Sequence, residues 1–261
     1  MKKDERRTEK KRIVKELSSR DRKDREASRK EELISAWVPK TATGKKVKAG
    51  ELKDIDPILD CGEKILEPEI IDVLIPELQQ DLLEVGQAKG KFGGGKRSIW
   101  KQTQKKTKEG NKPKFATMAV VGNKNGFVGV GYGKAKETVP AREKASRKAK
   151  LSVMKVRRGC GSWACNCGEQ HSIPLKTKGK NGSVEVELIP APKGTKLVVQ
   201  KEVRKILEYA GIKDIYSKTY GQTGTSLNLI RATIKALENL NLLKVNPDFI
   251  KRSGLIEGKQ K

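Results

Sequence analysis

Three of the four cysteines and the single histidine of the chain lie close together in the sequence. Cys160, Cys165, Cys167 and His171 follow the spacing C-x4-C-x-C-x3-H. Three thiolates and one imidazole complete a tetrahedral Zn2+ site, and a closed set of this kind is structural rather than catalytic. The pattern predicts a structural zinc ion; the alternative is three buried thiols and a core histidine. Cys61 stands alone and is expected to be a small core residue.

An enzyme is disfavoured because the residues for acid–base chemistry are missing. With His171 assigned to the metal, proton transfer would fall to carboxylates or lysines, and the acids form no paired motif. The glycine-rich stretch 126–134 is not a P-loop, since Val128 stands at the first glycine position and Ala135 at the Ser/Thr position. We expect neither catalysis nor a small-molecule substrate. The glycines predict either close packing of a basic helix or close approach of an RNA backbone.

The charge of the chain points to a polyanionic partner. The sequence has 58 Lys and Arg against 32 Asp and Glu, a formal net charge of +26. No apolar run approaches the ~18–20 residues that cross a bilayer, which favours nucleic acid over a membrane. Aromatic residues make up only 4% of the chain, which is few for stacking bases on aromatic side chains. Folded RNA, held by its phosphates and its shape, fits this composition better.

The positive charge is uneven along the sequence. Residues 1–32 contain 14 Lys and Arg but also 9 Asp and Glu, so they are nearly balanced. Residues 87–114 contain 10 Lys and Arg and one acid, Glu109. We therefore expect the internal segment, interpreted as a basic loop, to be the stronger RNA contact.

Hydrophobic spacing and turn residues predict two α+β units. In the first, the expected elements are a short helix from Pro68 to about Pro76, a helix over 77–85, a β-hairpin over 114–133 and a basic helix over 135–153. A double-stranded RNA-binding domain has the same order of helix, strands and basic helix. In the second, the expected elements are strands at 172–178 and 183–189, a helix at 200–210 ending at Gly211, a strand at 214–220 and a helix at 226–240.

These elements give a division of the chain. It comprises a charged N-terminal extension (1–32), a linker with a short helix (33–76), a double-stranded-RNA-binding-like domain (77–156), a zinc-knot linker (157–171), a C-terminal α+β domain (172–241) and a basic tail expected to fray (242–261). The knot lies between the two α+β units. We therefore expect the metal to fix the angle between them.

Several stretches are similar to a known family. They are ILEPEIIDVLIPEL at 65–78, VVGNKNGFVGVGYGKAKE at 120–137, AKLSVMKVRRGCGSWACNCGEQHSIP at 149–174, GSVEVELIPAPKGTKLV at 182–198 and AGIKDIYSKTYGQT at 210–223. In this order they resemble the archaeal and eukaryotic type of the universal small-subunit ribosomal protein S5 family, over roughly residues 65–240. The cysteine knot resembles the archaeal branch in particular.

The resemblance implies a fold and a role. It implies a double-stranded-RNA-binding-like domain followed by an α+β domain with a left-handed βαβ crossover. It also implies a structural constituent of the small subunit of cytoplasmic ribosomes that binds small-subunit rRNA beside ribosomal proteins S3, S4 and S8. Such a protein helps to shape the channel through which mRNA enters and supports decoding accuracy. The alternative is a free RNA-binding or RNA-chaperone protein with a zinc knot.

The resemblance and the charge together give the expected RNA contacts. They are Lys96, Arg97, Lys101, Lys105, Lys106, Lys108 and Lys112 in the basic segment; Gly126, Gly129, Gly131, Gly133 and Lys134 in the glycine hairpin; Arg157 and Arg158 in the linker; and Lys193, Gly194 and Lys196 in a second-domain loop. The sequence departs from the family where AKGKFGGGKRS, at 88–98, looks inserted, and in its long N-terminal arm. Both departures are candidate rRNA-binding extensions.

Overall fold

A computed structural model of the protein describes residues 34–87 and 97–258. The charged N-terminal extension, most of the inserted AKGKFGGGKRS stretch and Lys96 lie outside the described residues. The helices wholly within them are α1 (Ala42–Lys48), α2 (Asp56–Asp60), α3 (Pro68–Leu74), α4 (Thr138–Leu151), α5 (Lys201–Ala210), α6 (Ser226–Leu242) and α7 (Pro247–Ser253). The strands are β1 (Gln79–Leu83), β2 (Gly86–Gln87), β3 (Arg97–Ser98), β4 (Lys101–Thr107), β5 (Gly110–Gly122), β6 (Phe127–Ala135), β7 (Val153–Lys155), β8 (Arg157–Arg158), β9 (Thr177–Asn181), β10 (Val184–Pro190), β11 (Leu197–Val198), β12 (Ile215–Tyr220) and β13 (Ile256–Glu257).

The first sheet is antiparallel and is built around the long strand β5. Strands β4 and β1 pair with successive halves of one edge of β5, β6 pairs with the other edge, and β7 pairs with β6. Residues 116–122 of β5 are buried on both faces. Ala119 and Val121 pack towards α4, while Met118 and Val120 pack towards the second unit. The predicted hairpin and basic helix are confirmed.

Three glycines explain how closely α4 approaches the sheet. Gly129, Gly131 and Gly133 are buried on β6, and a Cβ atom at each would lie 2.2–2.3 Å from a carbonyl oxygen of Ala149, Ala145 or Ala141. Such distances admit no side chain, so glycine on the strand and alanine on the helix are both required. The structure therefore favours the helix-packing alternative for these glycines over an RNA contact, since α4 covers their face. Val139, near the start of α4, does not take part in this packing and is 63% exposed.

The second sheet has the order β11-β12-β10-β9, with a parallel pair β11–β12 and antiparallel pairs elsewhere. Helix α5 connects β11 to β12, and α6 packs on β9 and β10. Helix α5 ends at Gly211, which has φ +84° as the sequence predicts for a helix stop. The mixed α+β fold predicted from the sequence is confirmed.

The two units share one hydrophobic core. Leu83, Met118 and Val128 of the first sheet pack with Ile206 and Leu207 of α5 in a single buried cluster. At the end of α5, the backbone N–H of Lys124 donates to the carbonyl of Tyr209, and that of Gly126 to Ala210. The units are thus joined by packing as well as by the knot, so the knot is not the sole support of their relative angle.

The helix predicted over 77–85 is wrong, because residues Gln79–Leu83 form strand β1. Leu78, Leu82 and Val85 have helical spacing, but the edge of β5 offers five consecutive partners, from Gln79 opposite Gly122 to Leu83 opposite Met118. Pairing with an open sheet edge overrides the weak local preference. The interpretation of 101–112 as a loop is also wrong, since these residues form β4, a turn and the start of β5.

Three further expectations are corrected near the knot and the end of the chain. The first strand of the second unit begins at Thr177 rather than at 172, because residues 172–174 are buried against the knot. The tail expected to fray forms α7 and β13 within its described part. Cys61 is exposed and not a core residue.

No helix among residues 34–87 and 97–258 is long and apolar enough to cross a membrane.

Candidate metal centre and RNA-contact surface

The structure brings the four predicted metal ligands together. One ligand atom each from Cys160, Cys165, Cys167 and His171 lies within 4.8 Å of all the others, and Cys165 Sγ is 3.8 Å from His171 Nε2. Zinc with Zn–S bonds of about 2.3 Å and a Zn–N bond of about 2.0 Å would place its ligands roughly 3.5–3.8 Å apart. The observed set needs only a small contraction to reach these distances. The cluster can therefore hold a metal ion.

Backbone contacts fold the knot tightly. Gly159 and Ser172 exchange hydrogen bonds of 2.9 and 3.2 Å, which close the loop that carries the four ligands. A Cβ atom at Gly161 would lie 1.9 Å from the carbonyl oxygen of Pro174, so the two segments cross with no space for a side chain. Gly168 has φ +62°, a conformation suited to glycine, directly after Cys167. The glycines around the cysteines thus give the loop its shape.

A buried carboxylate orients the histidine. His171 Nδ1 is 3.0 Å from Asp214 Oδ2, and both side chains are buried. The other oxygen, Oδ1, accepts a 2.7 Å hydrogen bond from the backbone N–H of Lys196. With Nδ1 donating to the carboxylate, Nε2 is left as the acceptor nitrogen that faces the thiols. Asp214 could not be identified as part of the site from the sequence, because it comes 43 residues after His171 and lies in no local motif.

A loop of the second unit completes the surroundings of the knot. Hydrogen bonds from the backbone N–H groups of Lys193 and Cys167 lower the pKa of the Cys165 thiol to about 6, whereas burial raises the pKa of the neighbouring Cys167 thiol to about 11. The side chain of Lys193 is exposed and lies 2.8 Å from Glu169. Lys196 adopts φ +63° where its N–H reaches Asp214. Of the predicted RNA residues in this loop, Lys193 and Lys196 therefore have backbone roles at the knot, while Gly194 has no atom near its Cβ position.

The two linker arginines have partners within the protein. Arg158 is buried, and its Nη2 donates to Asn125 Oδ1 at 2.8 Å and to the carbonyl of Gly258 at 3.1 Å. Burial lowers its pKa from the usual arginine value. Arg157 lies 2.6 Å from Glu257 and donates to the carbonyl of Leu240. Arg158 thus has internal partners for its guanidinium, and its predicted RNA contact stays a prediction.

The basic segment, by contrast, projects as a two-stranded ribbon. Strand β6 pairs with β5 only from Phe115 onward, so residues 103–114 extend beyond the three-stranded part of the sheet as most of β4, a turn and the start of β5. The register places Lys105 directly opposite Lys112, and Thr103 opposite Lys114. Lys101 and Lys134 both lie opposite Ala116, on its two sides.

These positions share one face of the sheet, because directly paired residues point the same way. We call it the lysine face, and it consists of Lys101, Lys105, Lys112, Lys114 and Lys134. All five side chains are exposed. The opposite face of the ribbon carries mostly amides, with Lys106 as its lysine; Lys108 lies in the turn. The one acid, Glu109, is 3.8 Å from Lys112 in an exposed and therefore weak ion pair.

Two other expected RNA residues have contacts between segments. Arg97 Nη1 donates to Ser226 Oγ at the start of α6. Gly126 has φ +93° in the β5–β6 turn, where Asn123 Oδ1 accepts the N–H groups of Asn125 and Phe127. A Cβ atom at Gly126 would meet the carbonyl oxygen of Gly258 at 2.1 Å. Gly126 is thus covered by the end of the described chain.

Comparison with known proteins gives matches on both sides of the knot. The family model for ribosomal protein S5, N-terminal domain, matches residues 99–157, and that for ribosomal protein S5, C-terminal domain, matches residues 179–247. The small ribosomal subunit protein uS5 of Nanoarchaeum equitans is 47% identical over 225 residues, 86% of this chain and 96% of that protein. The uS5 proteins of Methanococcus maripaludis (44%, covering 90% of this chain and 98% of that protein) and Methanocaldococcus jannaschii (45%, covering 87% and 97%) are similarly close.

Proposed function

Because the chain belongs to the ribosomal protein S5 family, we propose that it is a structural constituent of the small ribosomal subunit that binds small-subunit rRNA. The family is a structural one and not an enzyme. Its members are ribosomal proteins, so the place of action is the cytoplasmic ribosome. The lysine face is the observation that carries the RNA-binding part of the proposal.

The lysine face is unfavourable for the protein alone and favourable beside phosphates. Lys105 and Lys112 are directly opposite each other across the ribbon, an arrangement that destabilises a pair of strands. The ribbon projects from the body, and Glu109 is the one acidic residue among positions 101–114. RNA phosphates neutralise such lysines and release condensed counterions, which supplies binding free energy.

The detailed fold and surroundings follow from the same proposal. We propose that α3, β1, β5, β6 and α4, with β2–β4 inserted between β1 and β5, form a double-stranded-RNA-binding-like domain, and that the parallel unit β11–α5–β12 is the left-handed crossover that the family resemblance implies. We place the protein beside S3, S4 and S8, near the channel through which mRNA enters, with a role in decoding accuracy. Phosphate contacts there position the protein and do not read sequence.

The knot is proposed to hold one structural Zn2+. Cys160, Cys165, Cys167 and His171 would hold the ion, and Asp214 would keep the histidine ring in place. When bound, the ion would supply a cross-link between residues 160–167 and His171. The closed set of four protein ligands leaves no position for a reacting molecule.

Binding to an rRNA fragment at increasing salt tests the RNA-contact proposal. We expect log affinity to fall linearly with log salt, with a slope of about −0.7 to −0.9 per phosphate contact. The matched control is the double variant Lys105→Gln, Gln104→Lys, which moves one lysine from the lysine face to the opposite face at the same net charge. We expect this variant to bind more weakly with a shallower slope. Unchanged binding would show that net charge alone, and not the lysine face, is responsible.

The alternative function is a free RNA-binding or RNA-chaperone protein. Sedimentation of cell extracts in high-salt gradients separates the two. Stable migration with small subunits supports the ribosomal role, and a pool found only in the free fractions contradicts it. The names of the relatives favour the ribosomal role.

A further inference from the structure

The last described residues of the chain return to the knot. Residues 247–258, which we call the clasp, consist of α7 and β13. Strand β13 pairs antiparallel with β8, with Ile256 opposite Arg158 and Glu257 opposite Arg157. The N–H of Cys160, the first metal ligand, donates a 2.8 Å hydrogen bond to the carbonyl of Ser253. The clasp therefore contacts a segment that includes a ligand of the proposed metal.

Backbone meets backbone where the clasp crosses the knot. Gly254 has φ +59°, and a Cβ atom there would lie 1.9 Å from the carbonyl oxygen of Gly168, the residue after Cys167. Four residues on, a Cβ atom at Gly258 would lie 3.2 Å from the ring of Phe127. The position of the clasp thus depends on the backbone shape of the knot on one side and on β6 on the other.

The clasp has little of its own to hold it in place. Helix α7 has seven residues, and Ser253 is its one buried side chain. Of its two large apolar side chains, Ile250 is exposed and Phe249 is only partly buried, so the helix buries little apolar surface. A helix this short is unstable in isolation, since isolated helices need about 12–15 residues. Its contacts with the knot region are the hydrogen bond from Cys160 to Ser253, the pairing of β13 with β8 and the close approach of Gly254 to Gly168.

We propose that metal binding at the knot and docking of the clasp are one coupled event, so that the metal-loaded knot is the docking site for residues 247–258. The inference rests on the proposed metal centre. Without an ion, the three free thiols leave the knot with no covalent cross-link, so its shape then depends on the Gly159–Ser172 hydrogen bonds and on the contact of His171 with Asp214. Coupling is reciprocal, so the docked clasp raises metal affinity by the same factor by which metal favours docking.

Docking of the clasp also determines the partners of the two linker arginines, Arg157 and Arg158. Glu257 pairs with Arg157, and the carbonyl of Gly258 accepts from Arg158. When the clasp undocks, the Glu257 carboxylate and the Gly258 carbonyl move away from the linker together. Arg157 then loses its carboxylate partner. The metal-free protein is thus expected to expose positive charge that the metal-loaded protein keeps internal.

Hydrogen exchange of the full chain, loaded with one equivalent of zinc or treated with a chelator under reducing conditions, tests the proposal. Zinc content is measured on the same samples. We expect amides of residues 250–257 to exchange at least ~tenfold faster without zinc, in the range of typical coupling factors. Amides in the middle of α6, which packs on β9 and β10 away from the clasp, are the internal control and should not change. One zinc per chain with equal clasp protection in both samples would overturn the coupling and leave the metal centre standing.

A matched pair of glycine variants tests the reverse direction. Gly254→Ala places a Cβ atom against Gly168, whereas Gly50→Ala imposes the same positive φ, +80°, with no atom within 4 Å. We expect Gly254→Ala to lower zinc affinity about fivefold or more in a competition with a chromogenic chelator, and Gly50→Ala to leave it unchanged. Equal zinc affinity in both variants contradicts the coupling. A wild-type protein that takes up no zinc contradicts the metal centre itself, and the coupling with it.

Discussion

The ribbon and the linker are both basic in sequence, yet the structure uses their charges in opposite ways. The lysine face leaves five ammonium groups exposed, with two of them directly opposite each other. The linker directs the guanidinium groups of Arg157 and Arg158 inward, to a carboxylate and to carbonyl oxygens. Lysine at the ribbon suits point contacts with phosphates, whereas the planar fork of arginine suits several fixed acceptors. Basic residues in a sequence therefore indicate a polyanion only where the fold leaves them without an internal partner.

The largest expected effect is on stability, at the buried arginine. Arg158→Ala leaves Asn125 Oδ1 and the Gly258 carbonyl without this donor and removes a buried side chain, which should cost on the order of 3 kcal/mol of unfolding free energy. Chemical denaturation measures it. Arg142→Ala, an exposed arginine on α4, is the control and should change stability by less than about 0.5 kcal/mol. If the Arg158→Ala protein were as stable as the wild type but bound rRNA more weakly, Arg158 would act as an RNA contact and not as a buried support.

The next effect is on metal affinity. Asp214→Asn keeps the size of the side chain but weakens its hold on His171 Nδ1, and loss of such a partner lowers metal affinity by about 10–100-fold. Chelator competition gives the zinc affinity. Glu169→Gln is the control, because the Glu169 carboxylate pairs with Lys193 at the surface and does not contact the His171 ring. Equal zinc affinities for the two variants would remove Asp214 from the metal centre.

A smaller effect is expected on the salt dependence of rRNA binding. Lys105→Ala with Lys112→Ala removes two lysines of the lysine face and should reduce the slope by about 1.4–1.8. The loss of affinity between ~50 and ~200 mM salt should then be about tenfold smaller than in the wild type. Lys106→Ala, on the opposite face of the ribbon, should change the slope less than Lys105→Ala alone or Lys112→Ala alone. The same slope for all of them would mean that the two faces of the ribbon bind alike.

The smallest effect is on the ribbon without RNA. Lys112→Thr removes the like-charge opposition to Lys105 and introduces a residue that favours strands, which should stabilise the pairing by a few tenths of a kcal/mol, roughly a twofold slowing of amide exchange in 101–114. The gain should shrink as salt screens the charges. A faster exchange in Lys112→Thr would contradict a destabilising role for the opposed lysines.

Features specified by neighbouring residues could be predicted from the sequence, whereas features that depend on distant parts of the chain could not. The hairpin, α4, α5 with Gly211, and α6 were predictable because local periodicity and turn residues specify them. The ligand set was predictable because Cys and His types at close spacing carry the chemistry themselves. Strand β1 was not, because its partner lies about 40 residues away on β5. The same reason hid Asp214 and the internal partners of Arg158, which come from other parts of the chain.

The close contact between α4 and β6 has a mechanical consequence. Because backbone lies against backbone at Gly129, Gly131 and Gly133, α4 cannot roll or slide without atomic collisions. Strand β5 pairs with β6 and runs without a break from the sheet to the tip of the ribbon. A force applied to α4 is therefore transmitted through β6 and β5 to the ribbon. A displacement of α4 is thus transmitted to the ribbon, and a displacement of the ribbon to α4.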